Sequence, residues 1–170
     1  APFWSVGIGW NAHNESFLSD LGWFDIFRIR GSVGYTGSVN FSDYQAITTY
    51  LYKQDNNYLI SMGALPITMG NDRLKWQTTV KYNVGATLEM WEGRLSANFD
   101  IYKEDTKDLL LSISTPPSMG VTNVMDNLGE TGNWGYEWSL SGLLIKSNQL
   151  YWRMGLSGHH TENKLKKISN

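Results

Sequence analysis

The residues able to do chemistry are few and scattered. There are three histidines, His13, His159 and His160. His159 and His160 are consecutive, so on a strand they face opposite sides and cannot share a metal. No Gly-x-Ser-x-Gly elbow and no phosphate-cradling glycine loop occurs. Asp100 and Glu104 share a parity, as an acid–base carboxylate pair would. No nucleophile, base and orienting group assemble around them, so they read as solvated charges paired with Arg94 or Lys81. The chain therefore reads as a non-enzyme with no cofactor and no metal. A second group lies between Gly37 and Leu74, where Phe41, Tyr44, Tyr50, Tyr52 and Tyr58 accompany Asp43, Asp55, Asn56 and Asn57. Rings beside carboxylates and amides can stack on and hydrogen-bond a sugar. The same rings can instead pack the loop onto its neighbours.

The elements that would position these residues are strands. Six segments alternate in polarity: Phe3 to Asn11, Ile26 to Thr36, Lys75 to Met90, Arg94 to Tyr102, Trp134 to Ile145 and Leu150 to His160. In the clearest, Trp76, Thr78, Val80, Tyr82, Val84, Ala86, Leu88 and Met90 oppose Lys75, Gln77, Thr79, Lys81, Asn83, Gly85, Thr87 and Glu89. No Asp, Glu, Lys or Arg stands on the apolar parity of any segment. The other parity carries Arg28, Arg30, Lys75, Lys81, Glu89, Arg94, Asp100, Glu137 and Arg153. Period-two exclusion of that kind predicts antiparallel strands with one greasy and one polar face. Trp91-Glu92-Gly93 and Lys146 to Gln149 suit tight hairpin turns. Gly37 to Leu74 and Lys103 to Asn133 are long connections, and part of the latter can extend its flanking strands. From Asn14 to Trp23 the spacing of Phe17, Leu18 and Leu21 predicts a short helix with Asn14 as its N-cap.

Composition sets outer limits. The 170 residues are 14% aromatic and 18% charged, with 17 glycines and no cysteine. This excludes a disordered chain, a disulfide framework and a thiolate site, and leaves the compartment open. A net charge of −2 gives no footprint for nucleic acid. The longest uncharged run, between Asp108 and Asp126, holds Pro116, Pro117 and Gly120 and cannot be a membrane helix. The opening APFWSVGIGW has no basic segment or cleavage pattern and does not read as a signal peptide.

Two arrangements satisfy the alternation. In a soluble sandwich or small barrel the apolar parity lines a core. In a membrane barrel it meets lipid. Segments three to six are longer than the soluble norm of about 5–6 residues, and membrane strands need about 9–11. Rings also sit near the ends of the apolar faces: Trp4 and Trp10, Phe27 and Tyr35, Trp76, Trp134, Trp152. Phe27 to Tyr35 spans roughly 26 Å of strand. At a tilt of about 40° that covers roughly 20 Å of depth, near the apolar band of about 25 Å. Trp and Tyr favour such boundaries because one end of the ring is greasy and the other seeks a hydrogen bond. The membrane reading is preferred on these grounds.

The tracts FWSVGIGW, RIRGSVGYTG, LKWQTTVKYNVGATLEMWEGRLSANFDIYKEDTKDLLL, PPSMG, NLGETGNWGYEWSL and LYWRMGLSGHHTENKLKKIS together resemble, in this order, the C-terminal barrel half of SusC/RagA-type TonB-dependent outer-membrane transporters. The turn TGSVN at Thr36 to Asn40 departs slightly from that pattern. The resemblance implies about six antiparallel strands of a 22-stranded transmembrane β-barrel whose lumen holds a plug. It also implies import of glycans or peptides under a SusD-like lipoprotein lid, energised through TonB. Residues 1–170 would then be a partial barrel without its plug, since six strands cannot close so wide a cylinder. Its partners would be the remaining barrel, outer-membrane lipid, the lid, and TonB through the missing plug region, with no nucleic acid. Arg28, Arg30, Lys81, Arg94, Asp100 and Glu137 would face the lumen or plug. Tyr44, Tyr50, Tyr52 and Tyr58 would sit in an extracellular loop able to touch substrate. The helical stretch would rest at the periplasmic rim. Rival expectations are a complete small outer-membrane barrel with a structural role, and a soluble carbohydrate-binding β-domain.

Overall fold

A computed structural model describes residues 3–19, 22–39, 44–58 and 61–168. Its strands are β1 (Trp4–Asn11), β2 (Phe24–Ser38), β3 (Thr49–Tyr58), β4 (Ser61–Thr68), β5 (Gln77–Met90), β6 (Leu95–Ser114), β7 (Asn123–Lys146) and β8 (Tyr151–Ile168). Six form one antiparallel meander in the order β1-β2-β5-β6-β7-β8. β3 and β4 pair only with each other. All six expected segments are therefore strands of one sheet. The hairpin β3–β4 was not anticipated. Pro66 removes a ladder donor from β4, Gly63 gives it no side chain, and a register shift between Lys53 and Asn57 breaks the period-two signal.

The register keeps the two parities apart across the whole sheet. One row runs Trp10, Ile29, Ala86, Phe99, Trp138, Gly158, and the next runs Ile8, Gly31, Val84, Ile101, Tyr136, His160. Between these rows, on the opposite face, lie Gly9, Arg30, Gly85, Asp100, Glu137 and His159. A slip of one residue at any strand would mix the faces, so the pattern fixes the register.

The apolar band slants across the ladder. On β1 it stops at Trp10, yet on β8 it continues past that row through Met154 and Trp152 towards Leu150. At the other end β1 and β2 stay apolar to Trp4 and Tyr35, whereas β6 and β8 turn ionic one row earlier, at Lys103 and Glu162. The slide averages about six residues over the crossing, roughly 20 Å along the strands for roughly 24 Å across them. A level band therefore requires strands tilted by about 40°, within the usual range of membrane barrels.

No dry core exists among the described residues. The buried hydrophobic residues are Ala12, Met90 and Val121, and no large side chain is fully buried. Trp4 and Phe99 are exposed and Val33 and Val80 only half-buried, so the interior that a soluble sandwich would build from them is missing. The strands also run longer than the alternation suggested. β6 continues past Tyr102 and β7 begins before Trp134, forming an arm beyond the band. From Lys103 to Asp108 every residue is charged or Thr, so both faces meet water and no period survives.

Both expected turns close hairpins. Trp91, Glu92 and Gly93 adopt φ of 57°, 56° and 70°, the left-handed region that Gly93 occupies without strain. The Gly93 N–H donates to Asp25 Oδ2 at 2.9 Å. At the second, Ser147 N–H donates to the Leu150 carbonyl at 2.8 Å. The helix expectation needs correcting. Asn14 ends a 3-10 turn, Ala12–Asn14, and the helix α1 covers only Ser16–Ser19. Asn14 is thus no N-cap, and Leu21 lies outside the described residues. Between β4 and β5, residues 71–75 are strapped to the arm. Asn71 Nδ2 donates to the Met125 carbonyl at 3.0 Å. Asn127 exchanges two bonds with the Lys75 backbone, at 2.7 and 3.0 Å, and donates to the Asp108 carbonyl at 2.7 Å.

Candidate functional site

The polar face is a cross-strand network. Arg30 on β2 reaches over β5 to Asp100 on β6, its Nη2 at 2.7 and 2.6 Å from the two carboxylate oxygens, while Nη1 donates to Thr87 Oγ1 at 3.2 Å. The intervening residue has to be Gly85, because a Cβ there would stand 2.7 Å from Arg30 Nε. Lys81 pairs with Glu104 at 2.9 Å, and Arg28 Nε donates to Asn11 Oδ1 at 2.7 Å. The expected Lys81 partnership with Glu104 is present, but Asp100 belongs to Arg30, not to Arg94. Arg94 lies in the turn before β6, where its carbonyl accepts from the Leu143 N–H at 2.7 Å. Glu137 and His159 flank Asp100 around a recess of about 350 Å³ with Asn98, Ser139 and Ser157. Tyr102 lies across Gly135, where a Cβ would come within 2.6 Å of its oxygen, and meets Thr161 Oγ1.

Among the described residues of the apolar face, no such bond crosses strands until its margin at Trp134. Ile8 is 78% exposed, Val6 63% and Val84 57%. Its neighbours are rings: Phe99 stacks on Tyr136 at 6.3 Å, and Phe3 on Trp76 at 5.8 Å. At the turn end Trp23 stacks on Phe24 and Trp91, at 4.4 and 6.3 Å. Trp138 covers the bare backbone of Gly158.

Beyond the band this same face becomes ionic. Lys103 and Lys166 share the carboxylate of Asp105. Lys164 lies 2.8 Å from Glu162, which also accepts the Trp134 indole N–H at 2.7 Å. The Lys166 hydrogen bond holds the Asp105 carboxyl below its ordinary value of 3.8, with Lys103 adding its field and burial opposing. Lys164, then Trp134, lower Glu162 likewise from 4.5. Lys103 and Asp105, like Glu162 and Lys164, are same-parity neighbours in the sequence, whereas the reach of Lys166 across β7 to Asp105 appears only in the fold.

The histidines are dispersed. His159 lines the polar recess, and His160 packs against Trp134 and Tyr136 on the apolar face. His13 Nδ1 accepts the Phe27 N–H at 3.3 Å. Tyr50 and Tyr52 are exposed and share a face of β3, and Tyr44 is exposed in the turn before it. Phe41, Asp43 and the side chains of Asp55, Asn56, Asn57 and Tyr58 lie outside the described residues.

A long antiparallel meander with a dry-seeking face, a hydrogen-bonded polar face, ring-lined margins and about 40° of tilt is a segment of transmembrane β-barrel wall. The chain belongs to the family described as TonB dependent receptor-like, beta-barrel, which matches residues 1–165. It is 28% identical over 99% of its length to TonB-dependent receptor P39 of Formosa agariphila, of which it covers 16%. It is also 28% identical, over 98%, to TonB-dependent receptor SusC of Bacteroides thetaiotaomicron, covering 17% of that protein. In structure it matches a chain of the RagAB peptide importer in its closed-closed state with TM-score 0.88 and 25% identity, over 99% of this chain and 18% of that one. The chain thus spans about a sixth of the length of these curated relatives. Proteins of this family reside in the outer membrane.

Proposed function

We propose that this chain forms barrel wall in a SusC-like importer of glycans or peptides. The apolar face meets lipid, and the polar face meets a plug and the aqueous path. The carrying observation is that, among the described residues, the rings and aliphatic side chains of one face touch little beyond each other, beside a polar face stitched across all six strands of the sheet. On the polar face Asn133 Oδ1 is buried without a donor, which suits a face that acquires further contacts. The edges β1 and β8 each leave a row of backbone groups unpaired, and in lipid such groups require neighbouring strands. This supports a wide barrel over a small one completed by these strands alone.

The hairpin β3–β4 then stands at the outer mouth with Tyr50 and Tyr52 side by side. We assign these rings, with Tyr44 and Tyr58, to substrate contact. A SusD-like lid above and TonB acting through the plug complete the reading; the relatives' name, TonB-dependent receptor, supports the second of these. The test is uptake. A strain whose only copy of the transporter carries Tyr50→Ala and Tyr52→Ala should take up its substrate, identified by growth on single glycans or peptides, about tenfold more slowly at limiting concentration. Unchanged uptake would remove the tyrosines from the path. Growth of a deletion strain equal to wild type on every such nutrient would remove import itself.

A further inference from the structure

We propose that the arm end of the apolar face binds the phosphate-bearing head group of an anionic lipid in the outer leaflet. This rests on the reading that the apolar face meets lipid. The face changes character within a single ladder step. Past the row Val84, Ile101, Tyr136, His160 comes Tyr82, Lys103, Trp134, Glu162, and then Val80, Asp105, Gly132, Lys164. Lys107 follows two residues on from Asp105, opposite Thr78. Lys103, Lys107, Lys164 and Lys166, with Lys167 opposite Glu130 one step further, thus outnumber Asp105, Glu162 and Glu130 among the described residues of this face. Two ammonium groups share Asp105, so its one negative charge leaves a surplus. An ammonium carries three donors, and a single carboxylate contact leaves others to point outward.

Among the described residues the polar face at the same level has no surplus, since Lys81 and Glu104 pair one to one. The excess therefore lies only where the sheet leaves the acyl chains. Trp134 marks the junction, its ring on the apolar side and its N–H on Glu162. The opposite end of the strands carries the two short turns, which in outer-membrane barrels face the periplasm, so the lysines belong to the outer leaflet. Positive side chains contiguous with an apolar belt match a lipid whose tails cover that belt and whose phosphates lie at its rim.

The test uses the whole transporter that carries this segment, purified in a non-ionic detergent, with lipid A as probe and native mass spectrometry as readout. Wild type should retain lipid A. The variant Lys103→Gln, Lys107→Gln, Lys164→Gln, Lys166→Gln should retain at least about tenfold less, and Lys81→Gln as much as wild type. Should the fourfold variant fail to assemble, Lys107→Gln alone decides, because Lys107 has no ion pair among the described residues; its retention should fall about threefold. Equal retention by the lysine variants overturns the proposal. A parallel Val84→Arg variant separates the two failures. If it assembles as well as wild type, the lipid-facing reading itself has failed. If it is destabilised while the lysine variants keep their lipid A, only the head-group site has.

Discussion

The two faces of one sheet differ more than most pairs of domains do. One holds ion pairs and hydrogen bonds that cross strands, with glycines set where a long side chain must lie flat. The other holds rings and aliphatic side chains with little beyond each other to touch. Neither is a core. Burial therefore has to come from the surroundings, and the two faces need different surroundings. In an ordinary antiparallel sheet one face is covered by the protein itself. Here the apolar face is the uncovered one among the described residues, and the proposed lipid-facing reading rests on that inversion.

The strongest way to break this comparison is to put a charge on the dry side. Val84→Arg should cost about 2–4 kcal/mol if the site lies mid-bilayer, read as the urea midpoint of refolding into vesicles. Asn83→Ala, one residue away on the other face, should cost under about 0.5 kcal/mol. The reverse order would exchange the faces. Next, Gly85→Val would drive a side chain between Arg30 and Asp100. A loss of about 1–2 kcal/mol is expected, and it should largely vanish on an Arg30→Ala background, as contacting residues couple. An undiminished loss there would mean that the glycine serves the backbone and not the ion pair. The smallest effect is acidic. Asp105 and Glu162 have folded pKa values below their ordinary 3.8 and 4.5. Their pairs therefore contribute stability in full above those values, and lose it as pH falls through the lower folded ones. Asp105→Asn with Glu162→Gln should flatten the acid limb of a stability profile below about pH 4.5. An unaltered limb would show that these surface pairs are energetically silent.

How much was legible follows from which atoms each face meets. The strand segments could be read because each has one wet and one greasy side, and that difference writes period two into the chain. Where both sides are wet, as from Lys103 to Asp108, the signal ends although the strand does not. The hairpin β3–β4 was hidden for a related reason, its rings and polar residues falling on both parities around Pro66. The polar residues Arg30, Lys81, Asp100 and Glu137 were placed together on one face by parity alone. Which carboxylate each cation takes depends on register and on the room left at Gly85, so the Arg30–Asp100 pair could not be read from spacing. Asn127 opens the tract NLGETGNWGYEWSL, yet its role in fastening residues 71–75 to the arm appears only in three dimensions.

That fastening gives the mouth a mechanical character. On the proposed reading, Asn71 and Asn127 tie the return path of the hairpin β3–β4, residues 71–75, to the β6–β7 arm. A load borne by that return path would pass through a pair of side-chain amides into the wall.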